Sequence, residues 1–352
     1  MKTIIMEIIR IDGSYLEGGG QMLRTALGLS IITNKPFSIY NIRTNRPNPG
    51  LKNQHLHAIK TILKLSNSKA ENVFLGSREI TFYPGEYKGG SFEIDIGTAG
   101  SIALLLQAIM LPAIFLKRTK LRIIGGTEVS FSPTMDYFKN VVLYYYKKYC
   151  DVEVKIKKRG YYPKGRGIVE IATNPKNIQF ENIKQIIINK KPESYDILGI
   201  STASNDLIQK KVAERQKISA EEFIYNELRI KPNITCQYSA SESTGSSITL
   251  WAYGAIEDNF LENIVLGSDY LGEKGLSSEE VGLRAAMMIV NAIQTGGVDK
   301  FLADQLVPLL GIAGGCIKTT EITAHTKTNV FVTNLFLDKK LKIEDNTIIR
   351  EE

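Results

Sequence analysis

A glycine-opened apolar helix occurs twice in this chain, and that repetition limits the fold more than any single residue does. Gly18, Gly19 and Gly20 lead into Gln21, Leu23, Arg24, Ala26, Leu27 and Leu29; 79 residues later Gly97 opens GTAGSIALLLQAIML, again with a glutamine in the helix. Around the first helix the chain reads as a strand at 4–11, the helix, a strand at 37–42, a second helix from PNPGLKNQHLHAIKTILKL, and two short strands near 72–75 and 79–83. The second pass has a strand at 92–96, the helix from 97, a strand at 121–124, a helix at 133–149, and strands at 151–157 and 167–172. Both passes spell βαβαββ. A third, interrupted copy is visible as helices at 277–295 and 299–312 followed by strands at 316–323 and 329–337.

Between these passes the texture becomes lysine-rich. The segment carries one long amphipathic helix at 206–228, strands at 234–238 and 247–253, and the flexible run SASESTGSS. The predicted class is therefore α/β (α+β), with three βαβαββ units in a large domain and a small α/β domain inserted in the third. The expected boundaries are a large domain over 1–181, an insert over 182–270, the remainder of unit three over 271–340 and a C-terminal tail over 341–352.

Composition narrows the functional classes. No run of about eighteen apolar residues appears, because the longest apolar stretch, 102–116, is broken by Gln107 and Pro112. The first residues contain Glu7 and Arg10 and no cleavage-like site, so the expected location is the cytoplasm, without a membrane. Cys150, Cys236 and Cys316 have no paired spacing, which argues against a disulfide framework or a zinc site. A net charge of +7 favours a polyanionic partner. There is no P-loop, no HExxH and no CxxC.

Candidate chemistry is dispersed. Only three histidines exist, and His325, in EITAHTKTNVFVTN, stands apart at an expected strand end beside threonines. In EGGGQMLR, Gln21 and Arg24 share a helix face and Glu17 precedes it; this set suits either a metal with a phosphate or a capping carboxylate with a surface arginine. Arg43 and Arg46 lie in a loop stiffened by Pro47 and Pro49, suited to phosphate recognition or to simple solvation. RGYYPKGRG, 159–167, suits an RNA backbone or an aromatic hairpin. FLADQL places Asp304 and Gln305 on an apolar helix, where an aspartate usually marks a helix edge.

EGGGQMLR, IRTNRPNPGLKNQH, IGTAGSIALLLQ, RGYYPKGRGIVE, GEKGLSSEEVG, FLADQL and AHTKTN together resemble, in order, the motifs of the RNA 3′-terminal phosphate cyclase family, in its archaeal form. The resemblance spans about 10–340 and is weakest in the insert. It implies ATP-dependent conversion of an RNA 3′-phosphate to a 2′,3′-cyclic phosphate. His325 would attack the α-phosphorus of ATP, carry AMP, and pass it to the RNA end. By the same resemblance Arg24, Arg43, Arg46, Gln21, Gln54, Asp304 and Gln305 would hold ATP and phosphates. Glu17 would hold a divalent metal, Mg2+ or Mn2+, and Pro133, Tyr137 and Phe301 would form the adenine pocket.

Two positions depart from the family pattern. Arg166 stands between Gly165 and Gly167 where the family usually has three successive glycines, which leaves the RGYYPKGRG loop without an assigned role, and Phe301 stands where some relatives have a tyrosine. The implied partners are ATP and RNA with a 3′-phosphate end; the oligomeric state is open, a homodimer included. The competing readings are a catalytically inactive cyclase-like protein serving ribosome assembly, an enolpyruvyl-type transferase, and a plain RNA-binding protein. His325 in its motif speaks against the first, room for only about three units against the second, and the ordered Glu, Gln and His motifs against the third.

Overall fold

Strands with one buried face, alternating with helices whose apolar stripe must be covered, give this chain the same unit three times. The structure, a computed structural model, describes residues 7–176, 183–255 and 263–351. Unit one runs β1 (Ile9–Asp12), α1 (Gln21–Thr33), β2 (Phe37–Tyr40), α2 (Asn53–Leu65), β3 (Lys69–Glu71) and β4 (Ile80–Tyr83). Its sheet has the order β1-β2-β4-β3, parallel between β1 and β2 and antiparallel elsewhere. The expected first strand at 4–11 lies partly outside the described residues.

Unit two repeats the plan with β5 (Gly90–Asp95), α3 (Ile102–Phe115), β6 (Thr119–Gly125), α4 (Met135–Tyr137), a π-helical turn (Phe138–Val142), α5 (Leu143–Tyr146), β7 (Cys150–Lys158) and β8 (Gly167–Pro175). The sheet order is β5-β6-β8-β7. Ser101 caps α3 by accepting the Leu104 N–H at 3.1 Å.

Unit three opens with β9 (Ile186–Ile188), and the inserted segment follows: β10 (Ser194–Ser204), α6 (Val212–Leu228), β11 (Asn233–Ser239), β12 (Ser246–Ala255) and β13 (Ile264–Leu271), in sheet order β11-β10-β12-β13. Next come α7 (Ser278–Thr295), α8 (Lys300–Ala313), β14 (Gly315–Lys318), α9 (Ala324–Phe336), β15 (Leu341–Glu344) and β16 (Thr347–Arg350). Helix α7, expected with unit three, packs on α6 and on β12 and β13 of the inserted sheet. The expected 206–228 helix is a 3-10 turn, Asn205–Lys210, and α6, divided at Lys211, whose φ is +49°. Strands β9, β10 and β13 were not expected. Strand β10 carries Asp196, Gly199 and three serines yet lies between β11 and β12, where packing overrides the weak propensity of those positions.

Two corrections concern the C-terminal part. The expected strands at 316–323 and 329–337 are replaced by the short β14 and by helix α9, so His325 sits in a first helical turn and not at a strand end. The β-branched run misleads because its buried positions, among them Thr326, Asn329, Val330 and Thr333, fall at helical spacing; Thr323 starts the helix by accepting the Thr326 N–H at 3.1 Å. The expected tail from 341 is instead a hairpin, Glu344 facing Thr347 around Asp345 at φ +49°, and β16 pairs with β14. The third sheet is thus β15-β16-β14-β9, the same pattern as the first two.

Helices from different units supply the central core. Helix α1 packs on α3 and α9, α2 on α3, and α8 on α9. Leu23, Leu27, Leu105, Leu106, Leu302, Leu306, Val332 and Phe336 are fully buried there. Each such side chain contributes about 1.5–3 kcal/mol by leaving water.

Candidate active site

The loop 12–20 turns the chain from β1 into α1 and is shaped by its glycines. Gly18 has φ +54°, and a Cβ there would lie 2.7 Å from the Gly13 carbonyl oxygen. A Cβ on Gly20 would lie only 1.9 Å from Nε2 of His55, on α2. No side chain caps α1, which leaves its first N–H groups without a side-chain partner. Tyr15 stacks on Phe331 of α9 with ring centroids 4.2 Å apart, pinning the Glu17 loop to the helix that carries His325.

His325 lies between two side chains of unit one. Its Nε2 is 2.9 Å from Glu17 Oε2, and its Nδ1 is 2.6 Å from Gln21 Oε1. The Gln21 amide nitrogen donates a short hydrogen bond to Asp304 Oδ1 on α8. That carboxylate orients the amide, so its oxygen faces the imidazole and Nδ1 carries the proton it donates. Asn329, one turn along α9, donates to the Asp304 carbonyl at 2.8 Å and to its carboxylate at 3.2 Å, and accepts from the Thr25 hydroxyl. Burial pushes the Asp304 carboxyl up to about 6, against the pull of His325, Gln21 and Arg24.

Cations surround this relay. Burial draws the Arg24 guanidinium down to about 10, still charged at neutral pH, with Asp304 opposing the shift; its Nε donates to Gln107 Oε1 of α3 at 3.0 Å. Arg46 reaches Glu17 at 3.3 Å. Arg43, at φ +57°, has a buried Nε with no hydrogen-bond partner, and its acidity is raised by burial and by Arg46. Gln54 Nε2 is likewise buried and unpartnered. His55 accepts the Lys52 N–H at Nδ1, 3.0 Å, and burial with Arg24, Arg43 and Lys52 holds it down to about 3, so it is neutral.

A cavity of about 720 Å³ opens beside His325. Among its walls are Gln21, Arg24, Pro133, Tyr137, Phe301, Asp304 and Gln305. The structure therefore brings eight of the sequence-selected residues, His325 included, to one cavity. Glu17 and Arg46 sit at its edge through Glu17's contact with His325, whereas Arg43 and Gln54 belong to the adjoining surface near His55. Asp304 is not at an exposed helix edge; Gln21 and Asn329 enclose it. No group of three or more His, Cys, Asp or Glu able to hold a metal occurs among the described residues. A single solvent-facing carboxylate, Glu17, still fits a divalent ion whose other ligands are phosphate oxygens and water.

The geometry can be set beside known proteins. A profile of the RNA 3′-terminal phosphate cyclase family matches residues 15–343. The RNA 3′-terminal phosphate cyclase of Pyrococcus furiosus is 46% identical over 340 residues, covering 96% of this chain and 95% of its own length. That of Archaeoglobus fulgidus is 41% identical over 350 residues, covering 97% and 99%. The chain belongs to the RNA 3′-terminal phosphate cyclase family.

In this family member several site residues were not legible in the sequence. Asp299, the N-cap of α8, accepts from the Tyr137 hydroxyl at 2.6 Å and the Gly267 N–H at 3.0 Å while capping Phe301 and Leu302. It thereby fixes two faces of the cavity, Tyr137 and Phe301, from different units, and burial raises its carboxyl. Asn329 and Gln107 each sit in a motif quoted above, yet only the tertiary contact gives them a partner. Lys300, held by Glu321 at 2.8 Å, adds a further cation to the cavity wall. Among the described residues no helix is long and apolar enough to cross a membrane.

Proposed function

We propose that this chain is an ATP-dependent RNA 3′-terminal phosphate cyclase working through a covalent His325–AMP. The observation that carries the proposal is the Asp304–Gln21–His325 relay on the wall of a cavity that also holds Arg24, Tyr137 and Phe301. With Nδ1–H donated to Gln21, the nucleophilic lone pair belongs to Nε2. Glu17 Oε2 lies 2.9 Å from Nε2, a contact that holds a proton only in the imidazolium form; with that proton lost and Glu17 turned to the metal, the Nε2 lone pair is free to react.

Adenine would lie among Pro133, Tyr137 and Phe301, and the triphosphate would run toward Arg24, Arg46 and the start of α1. Glu17 would hold the divalent metal, Mg2+ or Mn2+, which when bound offsets the triphosphate charge. His325 Nε2 attacks the α-phosphorus, the bond to the bridging oxygen breaks, and pyrophosphate leaves. An oxygen of the RNA 3′-phosphate then attacks the adenylyl phosphorus and releases Nε2. Finally the neighbouring 2′-OH attacks the 3′-phosphorus, expels AMP and closes the ring. Gln21 and Asp304 keep the imidazole oriented throughout, while Arg43 and Gln54, with unpartnered nitrogens, suit the RNA phosphate.

The test is incubation with ATP labelled at the α-phosphate and a divalent metal. The expected product is protein-bound AMP that survives alkali and is lost in acid. Labelling of His325→Ala equal to that of the unmodified chain refutes the mechanism. RNA binding without formation of a cyclic end from a 3′-phosphate oligonucleotide favours the non-catalytic reading.

A further inference from the structure

The RGYYPKGRG turn, left without a role above, forms part of a continuous surface that leads away from His325. A Cβ on Gly19 would lie 3.8 Å from His325 Cε1 and 3.9 Å from Arg46 Nη2, and Gly20 touches His55. Gln54, beside His55 on α2, comes within 4.0 Å of a Cβ on Gly100, at the start of α3. Gly165 then packs on Ala99, where a Cβ would lie 2.7 Å from its Cα. On the far side the Lys164 N–H donates to Ser243 Oγ at 3.1 Å, and Tyr161 packs under Gly245, so the inserted domain grips the turn.

What this grip presents outward is an aromatic ring among cations. Tyr162 is 74% exposed, and Lys164 is exposed beside it. The carboxylates nearby are already neutralised: Asp95 by Arg166 at 2.7 Å and Glu242 by Lys158 at 3.1 Å. Arg43, Lys52 and Lys164 have no carboxylate partner among the described residues, so the path carries net positive charge. Arg166, which stands where the family pattern has glycine, adopts φ +57° and spends its charge on Asp95, fixing the turn against β5.

We propose that this path, from Arg43 and Lys52 across the starts of α2 and α3 to Lys164 and Tyr162, is the track for the single-stranded RNA upstream of the reacting 3′ end. Tyr162 stacks on a base several nucleotides from the end and Lys164 contacts a phosphate. The inference rests on the cyclase reading for the direction of the strand but is read by binding alone. The experiment measures fluorescence anisotropy with two ligands, a ribodinucleotide 3′-phosphate and a longer single-stranded oligonucleotide 3′-phosphate, for the full chain and for Tyr162→Ala and Lys164→Ala. Thermal unfolding checks that both variants fold.

Tyr162→Ala is expected to weaken binding of the longer RNA about 5- to 150-fold, the span of one lost base stack. Lys164→Ala should reduce the slope of log affinity against log salt by about 0.7. The dinucleotide should bind all three proteins equally. Unchanged affinity for the longer RNA in both variants overturns the proposal. Equal loss for the dinucleotide also overturns it, because the turn would then be shaping the end site. Absence of covalent AMP, with these binding changes intact, would count against the cyclase mechanism and leave the track standing.

Discussion

Gly20→Ala tests whether the α1 start is built around His55. Gly20 has φ −66° and ψ −11°, a backbone that alanine adopts freely. By itself the exchange would stabilise the chain by about 0.4–1 kcal/mol through the unfolded state. The obstacle is the imidazole, because the new Cβ would sit 1.9 Å from Nε2 and 2.7 Å from Cδ2 of a ring that is only 5% exposed. Relief means moving α1 or the ring, with an overpacking cost of about 1–3 kcal/mol. Turning His55 also loses its bond to the Lys52 N–H, about another 1 kcal/mol. The expected net loss is about 1–3 kcal/mol, read as a lower urea midpoint, with weaker AMP labelling because Gln21 is the next residue. In a His55→Ala background the same Gly20→Ala change should be neutral or stabilising, so the sign reverses between backgrounds. An equal cost in both backgrounds refutes the steric account.

Two further tests address charge. Because its carboxyl is raised, Asp304 takes up its proton at about pH 6 and not near an ordinary aspartate value, so orientation of Gln21 weakens as pH falls through that range. AMP labelling rates measured against pH should drop there; Asp304→Asn should label about 10- to 100-fold more slowly even above that range, and a variant that labels as fast as the unmodified chain counts against the relay. Arg159 is buried with Glu128 and Asp136, each at 2.6 Å, and donates to Gln237 of the insert at 2.8 Å. Arg159→Met strands two buried carboxylates and should cost about 3–5 kcal/mol by chemical unfolding, whereas a loss under about 1 kcal/mol would mean that water reaches the pair.

Much of the plan is a local matter and was therefore readable. Glycines opening apolar helices, the order βαβαββ and its recurrence depend on periodicities within a few residues, and the ordered motifs pointed to the family. Where short-range signals were ambiguous, packing decided. The β-branched stretch after His325 became α9 because its buried positions match a helix laid on α1 and α8. Asp345 and Asn346 turned an expected tail into the hairpin that completes the third sheet.

The site itself belongs to the tertiary structure. Glu17 and Gln21, Gln54 and His55, Tyr137, Asp304 and His325 come from helix starts in three units, hundreds of residues apart in places. Sequence named most of these residues, and stacking of the three units put His325 between Glu17 and Gln21. Nothing local makes Asn329 the partner of Asp304, or Asp299 the link between Tyr137 and Phe301. Those pairings exist only because α1, α8 and α9 pack together and leave their polar first turns facing one cavity, where each buried polar group had to find another.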